Sequence, residues 1–103
     1  MAELTSKQRA FLRKLAHHEK AIAHVGSDGV TESVVQSIEE AFNRRELMKV
    51  KVLESAPDDV RTSASRIADA LEDVHVAQTI GRTIVLYRRH PENPEIKLPR
   101  AGR

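Results

Sequence analysis

The chain has 103 residues, 40% of them hydrophobic and 31% charged, with a formal net charge of +2 and no cysteine. That length supports one domain with a single modest core, and without cysteine there are no disulfides, thiolate nucleophiles or thiolate metal sites. No apolar run approaches the roughly 18 residues of a spanning helix and the N-terminus has no signal-peptide core, so a cytoplasmic location with no membrane partner is expected.

Thr5-Ser6-Lys7-Gln8 is a capping box that opens a first helix, with Phe11, Leu12, Leu15 and Ala16 as its apolar stripe. Arg9, Arg13 and Lys20 fall on the opposite face as a solvated basic strip. His17 and His18 point roughly 100° apart on a helix, and His24, His75 and His90 are scattered. No histidine spacing suits a metal, and none is expected.

Ala21–Val25 is short, apolar and followed by glycine, and reads as a buried strand. It enters Gly26-Ser27-Asp28-Gly29, where two glycines let the backbone turn sharply and approach a ligand closely. A helix then starts at the N-cap Thr31, its unpaired N–H groups aimed back at the loop. Phosphate binding and a plain tight turn both fit these residues. Val30 can staple onto Val35, and Val34, Val35, Ile38, Ala41 and Phe42 form the buried stripe, with Arg44 and Arg45 in the last turn.

Leu47–Leu53 is the clearest strand, with Met48, Val50 and Val52 on one face and Lys49 and Lys51 on the other. The lysine face is expected to be open to water, either merely solvated or available to phosphates. Pro57 is expected to start the third helix, with Asp58 and Asp59 in its first turn and Val60, Ala64, Ile67 and Leu71 facing inward. Val74–Ile80 and Thr83–Arg88 read as strands joined by Gly81-Arg82, the signature of a type II′ hairpin with Arg82 at its tip. His90–Pro99 is extended by its prolines and can pack through Ile96 and Leu98, and 100–103 is expected to fray.

The expected fold is α/β: a single compact domain over 1–99 in the order α-β-α-β-α-β-β. Its three helices flank a four-stranded mixed sheet built from parallel right-handed crossovers and a final antiparallel hairpin.

Charge is unevenly distributed along this chain. Lys7, Arg9, Arg13, Lys14 and Lys20 stand against Glu19 near the start, and Arg82, Arg88, Arg89, Lys97, Arg100 and Arg103 against Glu92 and Glu95 at the end. The middle is acidic. Folded, such a chain can present a basic side to a polyanion. Catalysis has no foothold: there is no Gly-x-Ser-x-Gly or Walker loop, and the adjacent carboxylates Glu39-Glu40 and Asp58-Asp59 diverge on helices. No catalytic residue and no cofactor are predicted. Phe11 and Phe42 lie on expected buried stripes, and Tyr87 is the one candidate stacking ring, with a core or tail-packing role favoured for it, so RNA would be bound by backbone and shape, with steep salt dependence.

Leu4-Thr5-Ser6-Lys7-Gln8-Arg9 and Leu12–His17 leading to the Gly-x-x-Gly loop, then Arg45–Val52, then Ile80–Arg88, resemble three signature blocks of YhbY-like proteins. These are the bacterial stand-alone form of the CRM domain (chloroplast RNA splicing and ribosome maturation), and the likeness runs from Leu4 to Pro99. It implies an RNA-binding fold similar to the C-terminal domain of translation initiation factor three. It also implies a role with precursor ribosomal RNA in large-subunit assembly; a non-catalytic monomer with ribosomal proteins as further partners is expected. The implied RNA-binding positions are Gly26, Ser27, Asp28, Gly29, Lys7, Arg9, Arg13, Lys14, Lys20, Lys49, Lys51 and Arg82. One departure matters: the family usually has lysine after the first glycine, where this chain has Ser27-Asp28. Asp28 opposes an approaching phosphate by up to about 1 kcal/mol, so most attraction is assigned to the first helix, Lys49, Lys51 and Arg82. The alternative is a protein-interaction module docking on a ribosomal protein or assembly factor through Ile96, Leu98 and the acidic middle, which salt would barely affect.

Overall fold

Residues 3–100 are described in a computed structural model, so 101–103 of the expected frayed tail lie outside the described residues. The elements follow the expected order: α1 (Ser6–Ala16), β1 (Ala21–Val25), α2 (Glu32–Ala41), β2 (Leu47–Val52), α3 (Val60–Ala70), β3 (His75–Ile80) and β4 (Thr83–Tyr87).

Local chemistry sets the helix starts. The Gln8 N–H donates to the Thr5 hydroxyl at 3.1 Å and the Thr5 N–H to Gln8 Oε1 at 3.0 Å, completing the capping box. Thr31 caps α2 by accepting from the Val34 N–H at 3.2 Å. The third helix starts later than expected. Asp59 is its N-cap, with its carboxylate accepting the Thr62 N–H at 2.7 Å, because a carboxylate satisfies an orphan donor that proline cannot. Arg44 and Arg45 lie beyond α2, which is capped at Phe42.

The sheet order is β1-β2-β4-β3. β1 runs parallel to β2, with His24 beside Lys51 and Val25 beside Val52. β4 is antiparallel to β2, placing Val85 opposite Lys49 and Thr83 opposite Lys51, and antiparallel to β3, placing Thr83 opposite Ile80. The hairpin's return strand therefore inserts between β2 and β3. Gly81 has φ 57° whereas Arg82 does not, which selects the type II′ turn over type I′. β1 is an edge strand rather than a buried one: Ala21, Ile22 and Ala23 are half-buried and His24 is exposed.

Each sheet face has its own core. α2 and α3 close one face over Val25, Ile38, Phe42, Met48, Val50, Val52, Ala64, Ile67, Ile84 and Leu86. On the other face Leu4, Leu12, Ala16, Leu47, Ala77, Val85 and Tyr87 cluster, with Ile96 and Leu98 packed against them. The lysine face of β2 is thus not simply open. α1 and the C-terminal strap cover its Leu47 half, because the Leu12 and Ala16 stripe needs an apolar partner and Leu47, Val85 and Tyr87 supply one. Gln8 takes a place in that stripe that Leu15 was expected to fill; Gln8 is buried while Leu15 is 38% exposed.

Two polar clamps hold the strap. Gln8 Nε2 donates to the Pro99 carbonyl at 3.0 Å. The buried Glu46 carboxylate accepts backbone N–H groups of His90 at 2.8 Å, Glu95 at 2.8 Å and Ile96 at 2.7 Å. Burial pushes this carboxyl up, but the hydrogen bonds from His90, Ile96 and Glu95 outweigh burial and hold it below its ordinary value.

Candidate nucleic-acid interface

α1 covers only part of its sheet face and leaves a groove along its flank. Residues spaced three, four, seven and eight apart share one side of a helix, and here Ala10, Arg13, Lys14, His17 and His18 line one wall. Strand alternation turns Lys49 into the same groove from β2, while Ile80, Thr83 and Val85 form its floor. Lys51 follows two residues later on the same sheet face, exposed, between His24 and Thr83. Arg82 stands exposed at the adjoining hairpin tip.

Among the described residues, no carboxylate lines this groove. The ion pairs among the described residues are Arg45–Glu19 at 3.6 Å, Arg66–Asp58 at 3.1 Å and Arg88–Glu39 at 3.0 Å, and none includes a groove cation. Positive charge is therefore concentrated without local compensation, an arrangement that draws anions.

The structure sorts the expected site residues. Arg13, Lys14 and Lys49 meet in the groove, Lys51 and Arg82 flank its open end, and Lys7 lies two turns before Lys14 on the same helix flank, exposed. Arg9 turns away and donates from Nη1 to the Leu4 carbonyl at 2.9 Å. Lys20 is exposed just before Ala21, which sits beside Lys49, but it does not line the groove.

The Gly26–Gly29 loop leaves β1 at the same sheet end as Arg82. Val25 is beside Val52, whose N–H donates to the Arg82 carbonyl at 2.8 Å. The Gly29 N–H donates to the Gly26 carbonyl at 2.9 Å, closing a turn with Ser27 and Asp28 exposed at its apex. Gly29 needs to be glycine: its φ is 74°, and a Cβ there would lie 3.2 Å from Pro57 Cγ. Gly26 has ordinary room, since a Cβ there would lie 3.8 Å from Leu53 Cδ1. None of the four loop residues lines the groove.

Sequence reasoning missed His17, His18, Ile80 and Thr83 as groove residues. His17 and His18 lie one turn beyond Arg13 and Lys14, a spacing that was legible. The exposure of Ile80, 47%, depends on its place at the end of an edge strand and was not. Arg88, counted among the basic residues of the chain's end, is committed to structure. Its guanidinium pairs with both Glu39 oxygens at 3.2 and 3.0 Å and sits 5.2 Å from the centre of the Phe42 ring.

Fold and groove define a small α/β domain with a cationic cleft on one sheet face. Residues 4–88 match the CRS1 / YhbY (CRM) domain, and the chain belongs to that family. It is 43% identical over 96 residues to "Probable RNA-binding protein YqeI" of Bacillus subtilis, covering 93% of this chain and 99% of the relative. A Haemophilus influenzae protein named "RNA-binding protein" is 42% identical over 102 residues, covering 97% and 99%. The solution structure of SAV1595 from Staphylococcus aureus aligns with TM-score 0.79 at 40% identity, covering 93% of this chain and 99% of that one.

Proposed function

We propose that this protein is a non-catalytic, monomeric RNA-binding protein of the cytoplasm that acts on precursor ribosomal RNA during large-subunit assembly. The observation that carries the reading is the groove in which Arg13, Lys14 and Lys49 converge with no carboxylate among them. Cations held this way neutralise backbone phosphates and release the counterions condensed on them. Lys51 and Arg82 extend the basic path toward the Gly26–Gly29 loop. The relatives' names support RNA as the ligand, and the likeness of the sequence blocks to YhbY-like proteins supports the ribosomal assignment.

The loop's part in this reading is secondary. Its Gly29 N–H is already engaged by the Gly26 carbonyl, and exposed Asp28 opposes a phosphate. A docking role through Ile96 and Leu98 is disfavoured, because both side chains pack against the Leu12, Leu47 and Tyr87 cluster.

The test is affinity for a structured ribosomal RNA fragment across ionic strengths, together with sedimentation in a ribosome profile. Affinity should fall with a log–log slope of about −0.7 to −0.9 per neutralised phosphate, and co-migration with large-subunit precursors should disappear at high salt. Salt-insensitive binding would contradict the proposal.

A further inference from the structure

We infer that the groove seats an unpaired nucleotide, its base on the apolar floor formed by exposed Ala10 and Ile80 above the buried Val85, and its flanking phosphates on Arg13, Lys14 and Lys49. This rests on the RNA-binding reading and names the kind of RNA element that fits the site.

A surface that only follows phosphates needs cations and nothing apolar between them. Here the cations border a hydrophobic floor. Among the described residues Leu15, Leu53 and Ile80 are the exposed large hydrophobics, and of these Ile80 lines the groove at 47% exposure. The cleft measures about 820 Å³, inside the roughly 300–1,000 Å³ typical of small-ligand sites. His17 and His18 line the same wall with rings 5.5 Å apart at 81°, which offers an imidazole face for stacking and ring nitrogens for hydrogen bonds. Thr83 adds a hydroxyl that can donate to or accept from a base edge. A continuous A-form duplex keeps its bases stacked inside and would leave this floor empty. A base splayed from a loop or bulge would fill it, while the cations fix the backbone on either side. On this reading recognition goes beyond backbone and shape: Phe42 and Tyr87 are buried, half-buried Phe11 does not line the groove, and an aliphatic floor and two imidazoles take the place of aromatic rings.

The experiment compares a ribosomal RNA hairpin carrying an unpaired loop with a blunt duplex of the same stem, using methyl NMR and affinity measurements. The hairpin should shift the exposed Ile80 methyl resonances of the wild-type protein, and the duplex should not. Ile80→Ser, a change at an exposed strand end, should weaken hairpin binding roughly tenfold, leave duplex binding within about twofold, and leave the salt slope unchanged. Equal wild-type affinity for both RNAs without methyl shifts would overturn the nucleotide seat while leaving phosphate binding intact. Loss of salt-dependent binding to both RNAs would instead remove the RNA-binding reading itself. The wild-type methyl shifts decide the matter even if the variant is unstable.

Discussion

The two faces of the sheet are closed to different extents. α2 and α3 cover the first so fully that Val25, Ile38, Met48, Val50, Ile67, Ile84 and Leu86 retain no exposure. α1 and the strap cover the second from Leu47 to Tyr87 and then stop, so that along β2 the residues on this face pass from buried Leu47 through half-buried Lys49 to exposed Lys51. One strand thus carries a core on one side and, on the other, a boundary between core and groove. Mutations on the first face should cost stability, whereas those at the far end of the second should cost binding.

The largest effect should come from the closed face. Ile67→Ala removes a fully buried side chain and should destabilise the protein by about 2–5 kcal/mol in denaturant unfolding, with RNA affinity of the folded protein unchanged. Glu46→Gln tests the strap that closes half of the second face, and should cost about 1–2 kcal/mol by weakening acceptance of three partly buried N–H groups. The carboxyl is held below its ordinary value in the folded state, so its contribution is complete above about pH 4.5 and is lost as pH falls through the depressed value. An acid titration of unfolding should therefore show a steeper low-pH decline in wild type than in Glu46→Gln.

The glycine loop sharpens the contrast on a smaller scale. Gly29→Ala should lower stability by about 1–2 kcal/mol, through its φ of 74° and the Pro57 contact. Gly26→Ala should stay within about 0.5 kcal/mol, and thermal unfolding distinguishes the two. The smallest effect is expected from Asp28→Asn, which should improve RNA affinity by no more than about 1 kcal/mol at low salt.

Much of the fold was legible because local rules and tertiary packing agree. The capping box at Thr5, the alternation of β2 and the Gly81-Arg82 turn each specify one conformation, and each is present. The readings that failed depend on partners distant in sequence. Whether the Lys49 face is covered depends on where α1 lands, which the packing of Leu12 and Ala16 on Leu47, Val85 and Tyr87 sets, together with the strap that Gln8 and Glu46 hold in place. Position 15 reads as apolar stripe by periodicity, yet Gln8 occupies the buried line because its amide reaches a carbonyl far along the chain. The groove was half legible: Arg13, Lys14, Lys49, Lys51 and Arg82 stand out by charge, whereas Ile80 gains significance only from its place at the sheet edge.

The most direct test of the groove is the salt dependence of RNA binding by an Arg13→Gln/Lys14→Gln/Lys49→Gln variant beside wild type. These side chains are in no ion pair among the described residues, so the variant should fold with unchanged or slightly higher thermal stability. Its log–log salt slope should be shallower by roughly 2–3, about one per lost phosphate contact, with a large loss of affinity at low salt. A folded variant that keeps both the slope and the affinity of wild type would contradict the central claim that this groove is where RNA binds.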